Sequence, residues 1–513
     1  MKKMKDENIK LEKLEVNLKK ITHSFLNQVD SMEAPVQIYT HLDADGLSSG
    51  AILGKALYRE NIPFQITVLR QLEKREITKI LKKVEEYNNY LIFSDFGSGQ
   101  YLELQTELIH KKKFKNFLVL DHHIPQTVSS KEDINLINEI HETTKDWQIN
   151  PYFFGIDGSV EITGAGLCYY FAKCLRKENL DLSSLALIGA IGDIQNKGEN
   201  NSFLGINTLI LEDAMNSGQI EVVNDLNFST LKPLNEAIAY SNEIKLPGLS
   251  KDVNRSLIFL KTKGILMENS EGKVKTLNEL NQDEKQKISS AIIEYASMKL
   301  NLEPSKIIKK LIINRYLLKT ESSTSKIHDL KEFSKLLNAC GRTYNASLGI
   351  AIAMGDRKDI YQQSMDVLKN YRKSLVESLS WIKNNDKIQQ KDSIQYFFGE
   401  DVISESIIGT ISSILIFEHG KGVDISKPIF GLAKRTDEDV YKVSGRAHEK
   451  IVSQGINLSE VIREASQRCN IESLGGGHPP AAGTKIPIEQ VDEFLECCNI
   501  AVRNQINKKI TQA

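Results

Sequence analysis

Four short clusters of acidic and imidazole side chains stand apart in this chain of 513 residues. They are the run His41-Leu42-Asp43-Ala44-Asp45-Gly46, then Asp95, the run Asp121-His122-His123, and Asp193. Carboxylates that converge repel one another unless cations lie between them. Oxygen and imidazole ligands without a thiolate suit Mn²⁺ or Mg²⁺ better than a structural zinc. The residue types therefore predict a site for two divalent cations that share a carboxylate, an arrangement that hydrolyses phosphoesters.

Three of these clusters follow directly on short runs that predict buried β-strands. The runs cover residues 36–40, 90–94 and 117–120 and are rich in β-branched and aromatic side chains. In an open parallel sheet the ligand crevice lies beyond the carboxyl ends of the strands, where residues distant in sequence converge. We therefore predict an α/β fold whose parallel sheet brings the clusters together.

The chemistry expected of such a site needs no side-chain nucleophile. Water bound to two divalent cations loses a proton far more readily than bulk water, and the same cations neutralise charge on the phosphate. The phosphate-binding loop GxxxxGK[ST] is absent from the chain, and no persuasive nucleophile triad accompanies the clusters. The sequence thus predicts a metal-dependent phosphodiesterase.

The order of these motifs resembles that of the DHH phosphoesterase superfamily. The spellings THLDADGLSSGAILGKAL at 40–57 and VLDHHIP at 119–125 are most similar to archaeal RecJ-like single-strand exonucleases of the GINS-associated type. Later stretches resemble the C-terminal DHH-associated nucleotide-binding domain of the same proteins. They are LLNACGR at 336–342, SLGIAIAMGD at 347–356, VSGRAHE at 443–449 and GGGHPPAAG at 475–483.

The resemblance implies a division of the ligands between two cations. One cation would be held by His41, Asp43 and Asp95, and the other by Asp45, Asp95, His122 and Asp193, which makes Asp95 the bridge. The implied catalytic residues are Asp95, His122, His123 and Asp193. His123 is assigned to the scissile phosphate, where a donor stabilises charge that grows in the transition state. Mn²⁺ is the favoured cation and Mg²⁺ the alternative.

The C-terminal motifs predict a phosphate-binding surface. In the run Gly475-Gly476-Gly477-His478 the absence of Cβ atoms lets backbone amides approach an anion, and His478 adds a side-chain donor. Arg446 can form two parallel hydrogen bonds to a phosphate. These residues are the predicted substrate-binding set, together with His123.

Composition bounds the class of protein. The formal net charge is −1 and 41% of residues are hydrophobic, which supplies more than one core. A near-neutral charge argues against broad coating of duplex DNA. Membrane-length apolar stretches and a signal peptide are not apparent, so we expect a cytoplasmic protein without membrane contacts. The six cysteines form no CxxC pair, and we expect neither a structural disulfide nor a zinc site.

The chain divides into four predicted segments. These are an N-terminal amphipathic helix at 1–30, a parallel-sheet DHH catalytic domain at 31–225, a helix-rich insert or connector at 226–330, and a DHH-associated α/β substrate-binding domain at 331–513. In the last domain we predict strands at 348–353 and 429–433 that flank a helix around 360–383.

The leading hypothesis is a RecJ-like exonuclease that degrades single-stranded DNA or RNA from an end, in DNA replication or repair. Catalysis would then depend on closure of two domains on the strand. A first alternative is a phosphodiesterase for short oligonucleotides or cyclic dinucleotides. A second is an interaction protein of the replication complex, because the resemblance implies GINS and the replicative helicase complex as partners.

Overall fold

The computed structural model describes residues 2–126, 133–241, 244–265, 268–269, 272–417, 422–435, 438–471 and 475–512. Two compact units divide the chain, Met1–Met365 and Asp366–Ala513. Within the described residues, we find no helix with the length and apolar character needed to cross a bilayer. The cysteines at positions 168, 174, 340, 469, 497 and 498 are free thiols.

The first unit contains most of the helices. They are α1 (Lys2–Val29), α2 (Ala44–Arg59), α3 (Lys74–Tyr87), α4 (Tyr101–Leu104), α5 (Ile134–Thr144), α6 (Gly164–Leu175), α7 (Ser183–Gly192), α8 (Ile206–Asn216), α9 (Leu234–Ala239), α10 (Val253–Thr262), α11 (Gln282–Leu300), α12 (Pro304–Leu311), α13 (Leu330–Arg342) and α14 (Ala346–Met354). Its strands are β1 (Val36–His41), β2 (Phe64–Leu69), β3 (Leu91–Ser94), β4 (Phe117–Leu120), β5 (Gln148–Ile149), β6 (Ile220–Leu226) and β7 (Ile312–Leu318).

A five-stranded parallel sheet with the order β2-β1-β3-β4-β5 forms the centre of this unit. Thr40 of β1 lies opposite Ser94 of β3, and Ser94 lies opposite Leu120 of β4. The residues that follow these three positions therefore leave the sheet at the same edge. The predicted α/β fold with a parallel sheet is confirmed.

Helices cover the sheet and bury its apolar strands. Both α6 and α7 pack against α2, whose residues from Ala44 to Leu53 are all buried. Helix α1 packs its apolar stripe into the same body, with Leu14, Leu18 and Phe25 fully buried. The Phe25 ring packs edge-on against Tyr90, with 4.9 Å between ring centroids. The long first helix thus contributes to the core of the unit.

An insert lies between β6 and β7, and these two strands pair with each other in antiparallel fashion. The helices between these strands have a hydrophobic core of their own, which includes Leu260, Ile288 and Ile292. The buried Arg315 of β7 forms an ion pair with Asp329, the residue that caps the N-terminus of α13. The insert is therefore joined to α13 by a buried charge pair.

The predicted strand at 348–353 is wrong, because these residues lie in α14. The segment is an almost continuous apolar run, and such a run fits a buried helix as well as a buried strand. Gly355 ends the helix in a left-handed conformation with φ of 115°. The predicted domain boundaries stay predictions.

The second unit is built on a six-stranded mixed sheet with the order β12-β13-β11-β10-β9-β8. Helix α15 (Asp359–Asn384) includes the residues at which the first unit ends and the second begins. Then follow β8 (Gln389–Gln390), β9 (Gln395–Phe398), α16 (Ile408–Phe417), β10 (Ile429–Lys434), β11 (Val440–Arg446), α17 (Glu449–Val452), α18 (Leu458–Arg468), β12 (Gly476–His478), β13 (Ala481–Pro487) and α19 (Val491–Gln512). The core includes Phe430, Val461 and Phe494.

Candidate metal centre

The acidic and imidazole clusters converge at the carboxyl edge of the parallel sheet. His41 ends β1, Asp95 follows β3, and His122 comes two residues after β4. Asp45 lies in the first turn of α2, and Asp193 follows the last residue of α7. The fourth cluster therefore reaches the centre from a helix and not from a strand.

Two groups of ligand atoms meet at Asp95. In the first group, His41 Nδ1 lies 2.9 Å from Asp43 Oδ2 and 3.4 Å from Asp95 Oδ2. In the second group, His122 Nε2 lies 3.2 Å from Asp95 Oδ1, 3.3 Å from Asp193 Oδ2 and 3.8 Å from Asp45 Oδ2. Each carboxylate oxygen of Asp95 thus faces a different histidine, the geometry expected of a carboxylate that bridges two cations.

The buried atoms at this centre fit divalent cations. Among the described residues, both carboxylate oxygens of Asp95, His41 Nδ1 and His122 Nε2 are buried without a hydrogen bond. A buried polar atom that lacks a partner costs about 1–3 kcal/mol, and more when the group is charged. A cation placed among these atoms would satisfy all of them together.

The pKa values of the groups at the centre also fit divalent cations. Burial, with the charges of Asp95 and Asp193, raises the pKa of Asp45 well above its usual value. Burial, with Asp43 and Asp95 nearby, raises the pKa of Asp193 to about 7. Burial by itself would lower the pKa of His122, but the surrounding carboxylates outweigh it and raise that pKa. These shifts follow from an excess of negative charge among the buried carboxylates, which divalent cations would neutralise.

We expect Mn²⁺ to raise the thermal unfolding temperature of the protein, because the ligand atoms converge only in the folded state. A ligand at a hundred times its dissociation constant stabilises the folded state by about 2.7 kcal/mol. Thermal unfolding monitored with and without Mn²⁺ measures this shift. The shift should shrink in Asp193→Asn, and an equal shift in that variant would contradict the ligand assignment.

The N-terminus of α6 holds the Asp45 carboxylate in place. The backbone N–H groups of Gly164 and Ala165 donate hydrogen bonds of 2.8 and 3.1 Å to its two oxygens. A Cβ added to Gly189 of α7 would lie 2.2 Å from Asp45 Oδ1, so α7 also packs closely against this carboxylate. The sequence analysis did not identify this role of Gly164 and Ala165. The small residues of both helices were the available signal.

The orientation of His122 is fixed by a backbone carbonyl. Its Nδ1 lies 2.6 Å from Gly158 O and donates to it, which leaves the lone pair of Nε2 for a cation. The buried Gln195 donates from Nε2 to the same carbonyl at 2.9 Å and accepts from Asn207 at 2.7 Å. This network, which the sequence analysis also missed, holds the carbonyl that orients the imidazole.

Gln195→Leu is expected to weaken Mn²⁺ binding by about 10- to 100-fold, the range typical of partners that orient a ligand. The reason is that the Gly158 carbonyl loses its amide donor and His122 loses its fixed orientation. Calorimetric Mn²⁺ titration of the folded variant measures the effect. Gln395→Leu, which removes a buried glutamine from the second unit, is the control for general destabilisation and should bind Mn²⁺ like the wild type.

Asp121 orients His123 and does not itself join the ligand groups. Its Oδ1 accepts from His123 Nδ1 at 2.8 Å, and its Oδ2 accepts from the Ser98 N–H at 2.8 Å. Burial opposes ionisation of Asp121, but the charges of both histidines and these hydrogen bonds lower its pKa. A nitrogen of His123 lies within 4.8 Å of ligand atoms of Asp95 and His122. The His123 side chain is 44% exposed, so a molecule in solution can reach it.

Helix α13 supports the loop between β1 and α2. Asn338 accepts from the Ala44 N–H at 3.3 Å. A Cβ added to Gly341 would lie 1.6 Å from the carbonyl oxygen of Leu42, so the two backbones are in direct contact. The motif LLNACGR therefore supports the loop that carries candidate ligands of the metal centre.

The run 46–50, Gly-Leu-Ser-Ser-Gly, has the spacing of a GxSxG nucleophile elbow. Ser48 is nevertheless fully buried within α2. A nucleophile elbow exposes its serine at a sharp turn between a strand and a helix. Ser48 therefore offers no nucleophile.

In the second unit the predicted phosphate-binding residues come together around one position of β13. Arg446 of β11 and His478 of β12 both pair with Ala481, one on each side. Arg446 Nε donates to Ser413 Oγ at 2.9 Å. Gly477 has φ of 139°, and a Cβ there would lie 2.4 Å from Ala481 O, so glycine is required for this strand contact.

Comparison with known proteins places the chain in a family. Residues 394–504 match the DHHA1 domain, and residues 229–312 match the DHH-CID domain. An uncharacterized protein of Methanocaldococcus jannaschii is 32% identical over 499 residues, which cover 97% of this chain and 100% of the relative. The chain belongs to the DHH/DHHA1 family.

Solved structures share the fold of this DHH/DHHA1 protein. CDC45 from Entamoeba histolytica has a TM-score of 0.64 at 12% identity, over 95% of this chain and 99% of that one. RecJ from Thermus thermophilus in complex with Mn²⁺ has a TM-score of 0.54 at 14% identity, over 95% of this chain and 55% of that one. A structure of exonuclease RecJ bound to manganese has a TM-score of 0.51 at 14% identity, over 95% of this chain and 94% of that one. At these identities the similarity establishes the fold.

Proposed function

We propose that this DHH-family protein is a divalent-metal-dependent phosphodiesterase that removes nucleotides from an end of single-stranded DNA or RNA, as a RecJ-like exonuclease does. The observation that carries the proposal is the pair of ligand groups that share Asp95, each with its own histidine. Mn²⁺ is the favoured cation because the ligands combine carboxylate and imidazole. Mg²⁺ is the alternative.

The residues of the centre have distinct tasks in this proposal. Two cations would supply a water of lowered pKa and would neutralise charge on the phosphate. His41, Asp43 and Asp95 would hold one of them, and Asp45, Asp95, His122 and Asp193 the other. His123, oriented by Asp121, would donate a hydrogen bond to the phosphate as negative charge grows on it. The buried position of Asp45 and Asp95 limits access of bulk water to the ligand atoms.

The second unit is proposed to bind a phosphate of the substrate. Arg446 and His478 flank Ala481 on adjacent strands, and both side chains can donate to an anion. The glycines at 475–477 reduce the steric bulk beside them. This DHHA1 unit would therefore select phosphate-containing substrates.

The fold shared with CDC45 supports a second candidate, an interaction protein of the replication complex. Under this proposal GINS and the replicative helicase complex are the partners. The full set of ligand residues at the sheet edge favours catalysis, and catalysis is compatible with such partners. A phosphodiesterase for short oligonucleotides or cyclic dinucleotides uses the same chemistry.

The proposal is tested by Mn²⁺-dependent digestion of single-stranded DNA and RNA that carry a label at one end and a block at either end in turn. A dinucleotide and a cyclic dinucleotide are assayed in parallel, and Asp193→Asn is the control. Stepwise loss from one free end, absent from the control, supports the exonuclease and gives its polarity. Cleavage of the shortest substrates alone supports the small-substrate alternative. Failure to hydrolyse any of them favours the interaction protein.

A further inference from the structure

An exposed tyrosine with strained backbone lies beside the loop that carries the metal ligands. Tyr344 is 69% exposed and has φ of 62°, a left-handed conformation that bulky residues rarely adopt. The guanidinium carbon of Arg70 lies 4.4 Å from the centroid of its ring. The arginine thus covers one face of the tyrosine, and the pair forms a flat, charged surface.

Arg70 and Tyr344 are each close in sequence to a residue that contacts the segment 41–43, which carries candidate metal ligands. Arg70 directly follows Leu69, the last residue of β2, and Leu69 pairs with the ligand His41 in the parallel register. Tyr344 comes three residues after Gly341, whose backbone is in contact with Leu42. Arg70 and Tyr344 therefore each follow a segment that contacts residues 41–43.

The left-handed backbone of Tyr344 has a structural role, because it ends α13: the Asn345 N–H donates to Cys340 O at 2.9 Å. That role does not require an aromatic side chain, since glycine or asparagine is usual at such a position. A ring that is 69% exposed adds little burial, and a cation–π contact at an exposed site contributes little to stability. The fold therefore explains the backbone of Tyr344 and not its ring.

The turn that carries Tyr344 is held rigid by its neighbours. The Asn345 side chain donates to Thr343 O at 2.7 Å and to Thr343 Oγ1 at 3.1 Å. Thr343 Oγ1 in turn donates to Ala339 O at 2.7 Å, in the last turn of α13. Helix α14 begins immediately afterwards, at Ala346. The ring is therefore presented from a fixed turn between two helices, which reduces the entropy lost when a ligand binds.

We propose that Tyr344, supported by Arg70, is a stacking platform for a nucleobase of the strand, on the His41 and Asp43 side of the metal centre. This inference rests on the proposed function and specifies its substrate class. Stacking of a base on an aromatic side chain is worth about 1–3 kcal/mol and tolerates any base, because every base has a flat face. The guanidinium adds a positive charge that favours the adjacent phosphate. The platform would make the protein select nucleotides over phosphoesters that have no base.

The platform is tested by binding and by hydrolysis. Fluorescence anisotropy of labelled single-stranded DNA, with Ca²⁺ in place of Mn²⁺, measures affinity for an intact strand and for one with abasic residues at the end that is digested. Tyr344→Ala should weaken binding of the intact strand by about 5- to 150-fold, the equivalent of one stacked base. Its binding of the abasic strand should stay close to that of the wild type. Tyr344→Phe should retain the wild-type preference for the intact strand.

Tyr240→Ala provides a matched control. Tyr240 is also exposed, at 53%, and also carries a cation over its ring, with Lys232 Nζ 5.1 Å from the centroid. It lies in the insert, directly after α9. This variant should bind both strands like the wild type.

The outcomes separate the platform from the proposed function. If the wild type hydrolyses and binds single strands while Tyr344→Ala keeps its preference for the intact strand, the platform is wrong and the exonuclease stands. An equal loss for both strands in Tyr344→Ala also overturns it, because that loss reports a general disturbance of the loop. A wild type that binds no single strand overturns both.

Discussion

Asp95→Asn abolishes metal-dependent hydrolysis while leaving the fold intact, if Asp95 bridges two cations as its position indicates. The substitution removes the charge that faces both histidine groups. A metal site contributes several kcal/mol to transition-state stabilisation, and each 1.36 kcal/mol is a factor of ten in rate. The expected loss of kcat/KM is therefore about 10³-fold or more.

Asparagine is the right replacement because of the backbone at this position. Asp95 has φ of 61°, and asparagine adopts this left-handed conformation more readily than alanine does. Asp386→Asn is a matched control, since Asp386 also has positive φ, at 44°, and lies in the second unit. Hydrolysis rates and circular dichroism of both variants are compared with those of the wild type. A folded Asp95→Asn protein that retains its activity would refute the bridging role.

Gly189→Ala is expected to reduce activity by about 100-fold and to destabilise the protein, although alanine is the better helix former by about 1 kcal/mol. The added methyl group would lie 2.2 Å from Asp45 Oδ1 and 2.8 Å from the Cβ of Ala165. Overpacking in a core costs typically 1–3 kcal/mol. Displacement of a catalytic group by about 1 Å can cost 10²-fold in rate.

Gly54→Ala separates the steric effect from the effect of helix propensity. Gly54 also lies within a helix, α2, but the nearest atoms to an added Cβ are side-chain ends of Ile66 and Phe64, both at 3.1 Å. Thermal unfolding, Mn²⁺ affinity and hydrolysis are measured for both variants. If Gly189→Ala loses Mn²⁺ affinity and Gly54→Ala does not, the close packing of Gly189 against Asp45 is supported. Similar Mn²⁺ affinities and rates of hydrolysis in the two variants would exclude a role for this packing.

Local sequence was sufficient to predict the parallel sheet and the convergence of the clusters. Short apolar runs that end at ligand-type residues are typical of buried strands that lead into a site, and parallel strands bring their carboxyl ends to one edge. The α/β fold was predicted in this way. Local sequence failed at 348–353, because an apolar run carries no period that separates a buried helix from a buried strand.

The sequence by itself therefore determined which residue types could hold cations and which strands would present them. Tertiary structure decided how each side chain is held. The amides of Gly164 and Ala165 that grip Asp45, and the Gly158 carbonyl that orients His122, come from segments that are distant in sequence and have unremarkable local patterns. It also decided that Arg70 and Tyr344 stack. Such contacts depend on how helices pack on the sheet, and packing is set by long-range complementarity that no short window of sequence contains.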